Sequence, residues 1–332
     1  MPTPVPQPPS IRANDFIVDP GEAGGAYDGT AVVCIGTFDG VHRGHQAILA
    51  HAKALARAED QSLVVVTFHP HPKTVVAPDR APNLLTDPDE KCTLLRAHGA
   101  DHVVTMRFDE ALAATPAEEF AETIIRQQLR ASAVVFGDDF RFGHGREGTP
   151  EFMRQWGAKT SIQVEMVEAV TDDQLGQRIS SSIIRKLLTT NGFNDAIRLL
   201  GHAWPVSGEI VTGAQRGRTL GYPTWNLVPS ALKFPPPVGI FAGWAGRATP
   251  RPAMAYYGSN PTFGGTTPKL EANLFSSPED AAPEAIETVW LSAMIREEVV
   301  FDSADALKRQ LADDERVARD MLLTGVSNQP SS

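Results

Sequence analysis

From Thr30 to Asn191, short apolar runs alternate with stretches whose apolar residues recur every three or four positions. The runs are Ala31-Val32-Val33-Cys34-Ile35-Gly36, Leu63 to Phe68, Val103 to Met106 and Ala133 to Gly137. Continuous, largely β-branched runs of this length fit strands buried on both faces, as in a parallel sheet. The intervening stretches carry helix signals. Asp87-Pro88 with Glu90, and Thr115-Pro116 with Glu118, each combine a cap, a proline at the first helical position and an acid of the capping-box type. Gly99 and Gly192 fit helix stops. This alternation predicts a doubly wound α/β domain over residues 27–195. Residues 1–26 begin with a proline-rich, Lys- and Arg-free segment and are expected to form a disordered tail.

After about residue 200 the pattern changes. Val206 to Ala214, Pro237 to Gly246, Pro252 to Gly258, Lys269 to Phe275 and Glu287 to Ile295 read as strands joined by Gly- and Pro-rich connections. No helix fits between them, so an antiparallel barrel or sandwich is predicted over residues 200–325. A helix behind Ser303 closes it, with Leu307, Leu311, Val317, Ala318, Met321 and Leu322 at helical spacing. The domain boundary falls between Asn191 and Trp204.

Composition narrows the function classes. The 332 residues suit two domains, and 42% hydrophobic with 21% charged residues is ordinary for a globular chain. Thirty Lys and Arg against forty Asp and Glu give a net charge of −10. No overall basic footprint for nucleic acid or an anionic membrane exists, and no apolar stretch approaches a membrane span. Two cysteines, Cys34 and Cys92, cannot build a disulfide framework, which fits a reducing cytoplasm. Small-molecule substrates are expected; self-association is left open.

Candidate chemistry concentrates in Gly36-Thr37-Phe38-Asp39-Gly40-Val41-His42-Arg43-Gly44-His45, between the first strand and a helix with Ile48, Leu49, Ala52 and Leu55 on its apolar face. Glycines let backbone approach an anion, and a helix start offers N–H groups and a positive dipole end. His42 and His45 lie three apart, so both can face one phosphate. A zinc half-site is the rival reading, disfavoured because no HExxH accompanies the pair and Cys34 falls inside a strand. Ile179-Ser180-Ser181-Ser182-Ile183-Ile184-Arg185 offers hydroxyls at a helix start and a bidentate cation; by itself it is also a plain N-cap with a surface arginine.

The first segment resembles the signature of the nucleotidyltransferase superfamily, and Ile179 to Arg185 resembles that superfamily's second phosphate motif. Val66-Thr67-Phe68-His69-Pro70-His71-Pro72 and Gly137-Asp138-Asp139-Phe140-Arg141-Phe142-Gly143 resemble the flavin-side segments of bacterial FMN adenylyltransferases. In the second half, Gly217-Arg218-Thr219-Leu220-Gly221-Tyr222-Pro223-Thr224-Trp225-Asn226, then Asn260-Pro261-Thr262-Phe263, Leu270-Glu271-Ala272 and Arg296-Glu297-Glu298, resemble the riboflavin kinase module. The whole is similar to the bacterial bifunctional riboflavin kinase/FMN adenylyltransferase family over roughly residues 30–323.

The resemblance implies an ATP site of the adenylyltransferase at Gly36, Thr37, Phe38, Asp39, Gly44, Ser180 and Ser181. It implies a flavin site at Phe68, Pro70, Asp139, Phe140 and Phe142, with His42, His45 and Arg185 catalytic. For the kinase it implies ATP binding by Gly217, Gly221, Pro223, Thr224 and Asn226, with Mg²⁺ held by Thr224 and Asn226. Arg296 is implied at the flavin and Glu271 as the base. The substrates would be ATP, riboflavin and FMN. The chain departs from the family pattern at His69, Trp225, Val300 and the segment after Phe275. Two alternatives stay open: a monofunctional FMN adenylyltransferase with a degenerate barrel, and a non-catalytic flavin- or nucleotide-binding regulator.

Overall fold

The computed structural model describes residues 17–18, 29–211, 222, 224–259, 268–275 and 283–324. It divides into two compact units. One holds the described residues up to Leu84 together with Pro88–Ser180; the other holds Leu85–Asp87 and the described residues from Ser181 onward.

The first unit is built on a parallel sheet, as the continuous apolar runs require. Its strands are β1 (Ile17–Val18), β2 (Ala31–Ile35), β3 (Ser62–His69), β4 (His102–Arg107), β5 (Ala131–Gly137) and β6 (Gln163–Val167). Their order is β1-β4-β3-β2-β5-β6, and Cys34 on β2 pairs with Val65 on one side and Val135 on the other. β1 lies inside the expected tail and pairs with β4; the rest of residues 1–26 lies outside the described residues. Every β2 residue is buried. Val33, Val64, Val104, Val134 and Phe136 meet Phe120, Ile124, Ile125 and Trp156 in one core cluster. The chain runs from β2 outward to β3 and β4, then crosses back to β5, so the switch in strand order falls at the carboxyl ends of β2 and β5. Open α/β sheets bind ligands at that place.

Helix boundaries follow local chemistry, with two exceptions. Pro88–Ala97 forms as its cap signals predict, and Gly99 beyond it takes a φ of +102°. Thr115-Pro116 introduces Ala117–Glu119, but the continuation Phe120–Gln128 is π-helical and buries Phe120, Ala121, Ile124 and Ile125. Gly192 is not a helix stop. It is the N-cap residue of Phe193–Leu200, while Asn191 takes the left-handed conformation after Ser181–Thr189. Asparagine enters that region more readily than most residues that carry a Cβ, so it can end this helix one position before Gly192. A two-stranded hairpin, β7 (Thr171–Asp172) with β8 (Gln177–Arg178), leads to Ser180.

In the second unit six antiparallel strands close on themselves: β9 (Trp204–Val211), β10 (Trp225–Pro229), β11 (Gly239–Ala245), β12 (Arg251–Gly258), β13 (Lys269–Leu274) and β14 (Ile286–Glu297). The order is β10-β13-β12-β11-β14-β9, with β9 returning to β10. Closure removes the exposed sheet edges. Phe193 packs on Phe241 with ring centroids 4.9 Å apart. Ala304–Thr324 is the terminal helix, and Ser303 caps it by accepting from Ala306 N at 3.2 Å.

Gly243 marks a tight point. β11 and β14 slip register between Ile240 and Phe241 and again between Ala242 and Gly243, and a Cβ added at Gly243 would overlap the Trp290 carbonyl oxygen. Gly243→Ala is therefore expected to destabilise the barrel by ~1–3 kcal/mol, the usual range for overpacking. A melting temperature equal to wild type would refute this strain.

Candidate active site

The sheet's switch point is occupied by the loop between β2 and the helix Arg43–Ala58. Phe38 and Val41 both sit at positive φ, +48° and +40°, beside Gly40 at +81°. A β-branched residue there is strained, and such strain persists where surrounding contacts over-determine the loop. The contacts are present: Val41 N donates to Phe38 O at 3.1 Å, and the Thr67 hydroxyl donates to Thr37 O at 3.0 Å. Gly36, Thr37, Phe38, Asp39 and Gly44 are thus drawn around one helix start, with Asp39 buried.

His42 is the N-cap residue of Arg43–Ala58, and its Nδ1 accepts from His45 N at 3.3 Å. That acceptor role assigns the proton of the neutral ring to Nε2. The two imidazoles stack at 3.6 Å with planes 16° apart, and Phe38 meets His45 edge-on at 5.2 Å. Burial holds the His45 pKa well below the ordinary histidine value, and the charges of His42, Lys91 and Arg178 lower it further. His45 is therefore neutral at physiological pH. Its Nδ1 is buried without a hydrogen-bond partner. A buried, unpaired ring nitrogen beside a helix N-terminus is suited to a ligand oxygen.

Several of the other expected residues line the same unit. Phe68 is the penultimate residue of β3 and meets Phe108 at 5.7 Å. Phe142 is buried among Phe120, Phe140 and Phe152, whereas Phe140 is only partly buried and lies parallel to Phe136 and Phe142. Pro70 follows β3, and Asp139 follows β5 with its carboxylate 3.1 Å from Arg178. Arg178 also pairs with Asp138 at 2.8 Å. Ser180 is the last residue of this unit, while Ser181 and Arg185 stand on the helix Ser181–Thr189 of the other. Sequence reasoning missed Arg178 and Lys91; the adjacency of Arg178 to Ile179-Ser180 was the available signal for the first.

On the barrel, register rather than sequence spacing assembles the polar groups. Asn226 of β10 pairs with Glu271 of β13, which pairs in turn with Tyr256 of β12. Paired residues share a face, so the three form a row. The Thr224 hydroxyl donates to Glu271 Oε2 at 3.4 Å, and Asn226 Nδ2 donates to Thr224 Oγ1 at 3.4 Å. Burial raises the Glu271 pKa, opposed by the Thr224 hydrogen bond and the Lys269 charge. Tyr256, unforeseen from sequence, donates its hydroxyl to Glu298. Arg296 is engaged by Asp314 of the terminal helix, Nη2 to Oδ2 at 2.7 Å and Nε to both oxygens at 3.0 Å. Gly217, Gly221, Pro223, residues 260–263 and the segment 276–282 lie outside the described residues.

Family comparison assigns a class to each unit. The model described as FAD synthetase matches residues 26–183, and the one described as riboflavin kinase matches residues 200–322. The chain therefore joins a nucleotidyltransferase-type domain to a kinase-type barrel. It is 37% identical over 293 residues to the bifunctional riboflavin kinase/FMN adenylyltransferase of Escherichia coli K12, covering 87% of this chain and 92% of that one. The protein of the same description from Bacillus subtilis is 31% identical, covering 87% and 91%. The chain belongs to the bifunctional riboflavin kinase/FMN adenylyltransferase family. A solved structure described as a macrolide-efflux protein from Streptococcus pneumoniae is also similar, at 31% identity and a TM-score of 0.75, covering 90% of this chain and 97% of that one. No described helix here is long and apolar enough to cross a membrane.

Proposed function

We propose that the chain makes FAD in two steps: phosphorylation of riboflavin to FMN on the barrel, and adenylylation of FMN in the α/β unit with release of pyrophosphate. The observation that carries this reading is that one chain holds both a stacked imidazole pair at a switch-point helix start and a Thr-Asn-Glu cluster on a closed barrel.

In the adenylyl transfer, an FMN phosphate oxygen attacks the α-phosphorus of ATP. The bond to the bridging oxygen breaks, and pyrophosphate leaves with that electron pair. No enzyme nucleophile is needed, so the protein's task is positioning and charge stabilisation. His42 Nε2–H and the His45 ring would donate to phosphate oxygens, with Gly36, Thr37, Phe38, Asp39, Gly44 and Ser180 shaping the nucleotide loop. Ser181 and Arg185 would supply a hydroxyl and a bidentate cation. Phe68, Pro70, Asp139, Phe140 and Phe142 would border the flavin.

In the kinase step, Glu271 would take the proton of the ribityl 5′-hydroxyl as its oxygen attacks the γ-phosphorus, while the bond from that phosphorus to the β,γ-bridging oxygen breaks and ADP leaves with the electron pair. The hydroxyl of Thr224 and the side-chain amide oxygen of Asn226, whose amide nitrogen lies 3.4 Å from that hydroxyl, are hard oxygen donors of the kind that suits Mg²⁺. When bound, Mg²⁺ would neutralise charge on the ATP phosphates. Gly217, Gly221 and Pro223 would complete that loop, and Arg296 would border the flavin from its pairing with Asp314. The buried cysteines Cys34 and Cys92, which form no disulfide with each other, support a cytoplasmic setting.

The raised pKa of Glu271 has a sign that can be measured. A base must be ionised, so as pH falls the loss of FMN formation should begin above the ordinary carboxylate value of 4.5. Thr224→Val removes a hydrogen bond that stabilises the carboxylate, and should move this acid limb to still higher pH. An unmoved limb in the kcat/KM profile would argue against Glu271 as the titrating base. The function itself is tested by chromatography after incubation with riboflavin, ATP and Mg²⁺. FMN and FAD together support it; FAD from FMN without FMN from riboflavin selects the monofunctional alternative, and no product from either flavin selects the regulator.

A further inference from the structure

Lys91 lies on the helix Pro88–Ala97 and is only 7% exposed. Its ammonium donates to two backbone carbonyls, Thr37 O at 3.3 Å and Phe68 O at 3.2 Å. Thr37 lies in the loop that leads to His42 and His45; Phe68 is the penultimate residue of the strand that leads to Pro70. The same Thr37 carbonyl accepts from the Thr67 hydroxyl. One buried side chain therefore bridges the segment assigned to the nucleotide and the segment assigned to the flavin. A buried ammonium is costly unless fully hydrogen-bonded, and an apolar side chain of similar length would fill this space at lower cost. The site thus uses the charge and the donors, not the bulk alone. The charge also reaches His45, where it acts with His42 and Arg178 in favour of the neutral ring.

We infer that Lys91 is a positioning residue for adenylyl transfer: it ties the nucleotide loop at Thr37 to the flavin-side strand end at Phe68, and so sets the approach of the FMN phosphate to the ATP α-phosphate. This rests on the adenylyltransferase reading above. Each half-site keeps its own contacts when the tie is cut, so each substrate should still bind. What is lost is their mutual alignment, and a misplacement of about 1 Å can cost ~10²-fold in rate.

The test uses the full-length protein with Lys91→Met and Lys91→Arg. FAD formation from FMN is measured for kcat and for the KM of each substrate, and limited proteolysis of the α/β unit, which is a separate compact unit from the barrel, reports its folded fraction. Lys91→Met is expected to lower kcat for FAD formation by ~10²-fold with both KM values near wild type. Lys91→Arg, which keeps the charge and several donors, should recover most of kcat. Unchanged kcat in the folded fraction of Lys91→Met overturns the proposal and leaves Lys91 a stability residue; so does a rise in both KM values at constant kcat. If Lys91→Met does not fold, Lys91→Gln, which keeps one amide donor, is judged by the same comparison. Wild-type protein that makes no FAD from FMN overturns the adenylyltransferase reading itself, an outcome separate from any behaviour of the variants.

Discussion

Replacement of Glu271 by Gln is expected to reduce FMN formation from riboflavin by ~10²–10⁴-fold, the range for loss of a general base. Glutamine keeps the shape and can still accept from the Thr224 hydroxyl, which lies 3.4 Å from Glu271 Oε2 in the wild type. The β10–β13 pairing that seats the residue opposite Asn226 is backbone and is untouched. Only the proton-accepting carboxylate is gone, so the loss should fall on kcat. FAD formation from supplied FMN belongs to the other unit and should continue at the wild-type rate. Wild-type FMN synthesis by Glu271→Gln would remove the base assignment, and a matching fall in FAD synthesis would point to misfolding instead.

The reciprocal result is expected of His45→Ala. FAD formation from FMN should fall by ~10²–10³-fold, the usual effect of deleting one preorganised donor at a transition state. The motivation is the position of the ring: stacked on His42 at 3.6 Å, held edge-on by Phe38, and carrying a buried nitrogen without a protein partner. The helix keeps its N-cap, since His42 accepts from the backbone N–H of residue 45 and not from the side chain. FMN should accumulate when riboflavin is supplied, because the barrel does not use His45. Wild-type FAD turnover would exclude a phosphate role for this imidazole. The two variants together separate the two reactions in one chain.

Much of the fold is written in local patterns. Runs buried on both faces imply a parallel sheet, and β2 to β5 appear where the apolar runs stand. The helix Pro88–Ala97 begins at a proline, which lacks one of the N–H groups a helix start leaves orphaned, and Ser303 caps the terminal helix by accepting another such N–H. Polar strands are another matter. β6 carries Gln163 and Glu165, and β10 reads Trp-Asn-Leu-Val-Pro, so neither shows an apolar run; each is a strand because a neighbouring strand satisfies its backbone. The π-helical stretch Phe120–Gln128 likewise answers to the core it packs on, with no local sequence signal.

The reacting groups divide in the same way. By itself the sequence determined the imidazole pair at the helix start, because His42 and His45 are three residues apart and a single turn brings them together. It also determined that Glu271 lies on a strand. Only the tertiary structure decided that Glu271 stands between Asn226 and Tyr256, because partners across a sheet are chosen by register, which no local spacing encodes. It also decided that the helices Ser181–Thr189 and Phe193–Leu200 belong with the barrel's compact unit. Lys91 became visible only there as well. A lysine in a helix reads as a solvated charge until the fold buries it, and burial then obliges its ammonium to find the carbonyls of Thr37 and Phe68, 54 and 23 residues away along the chain.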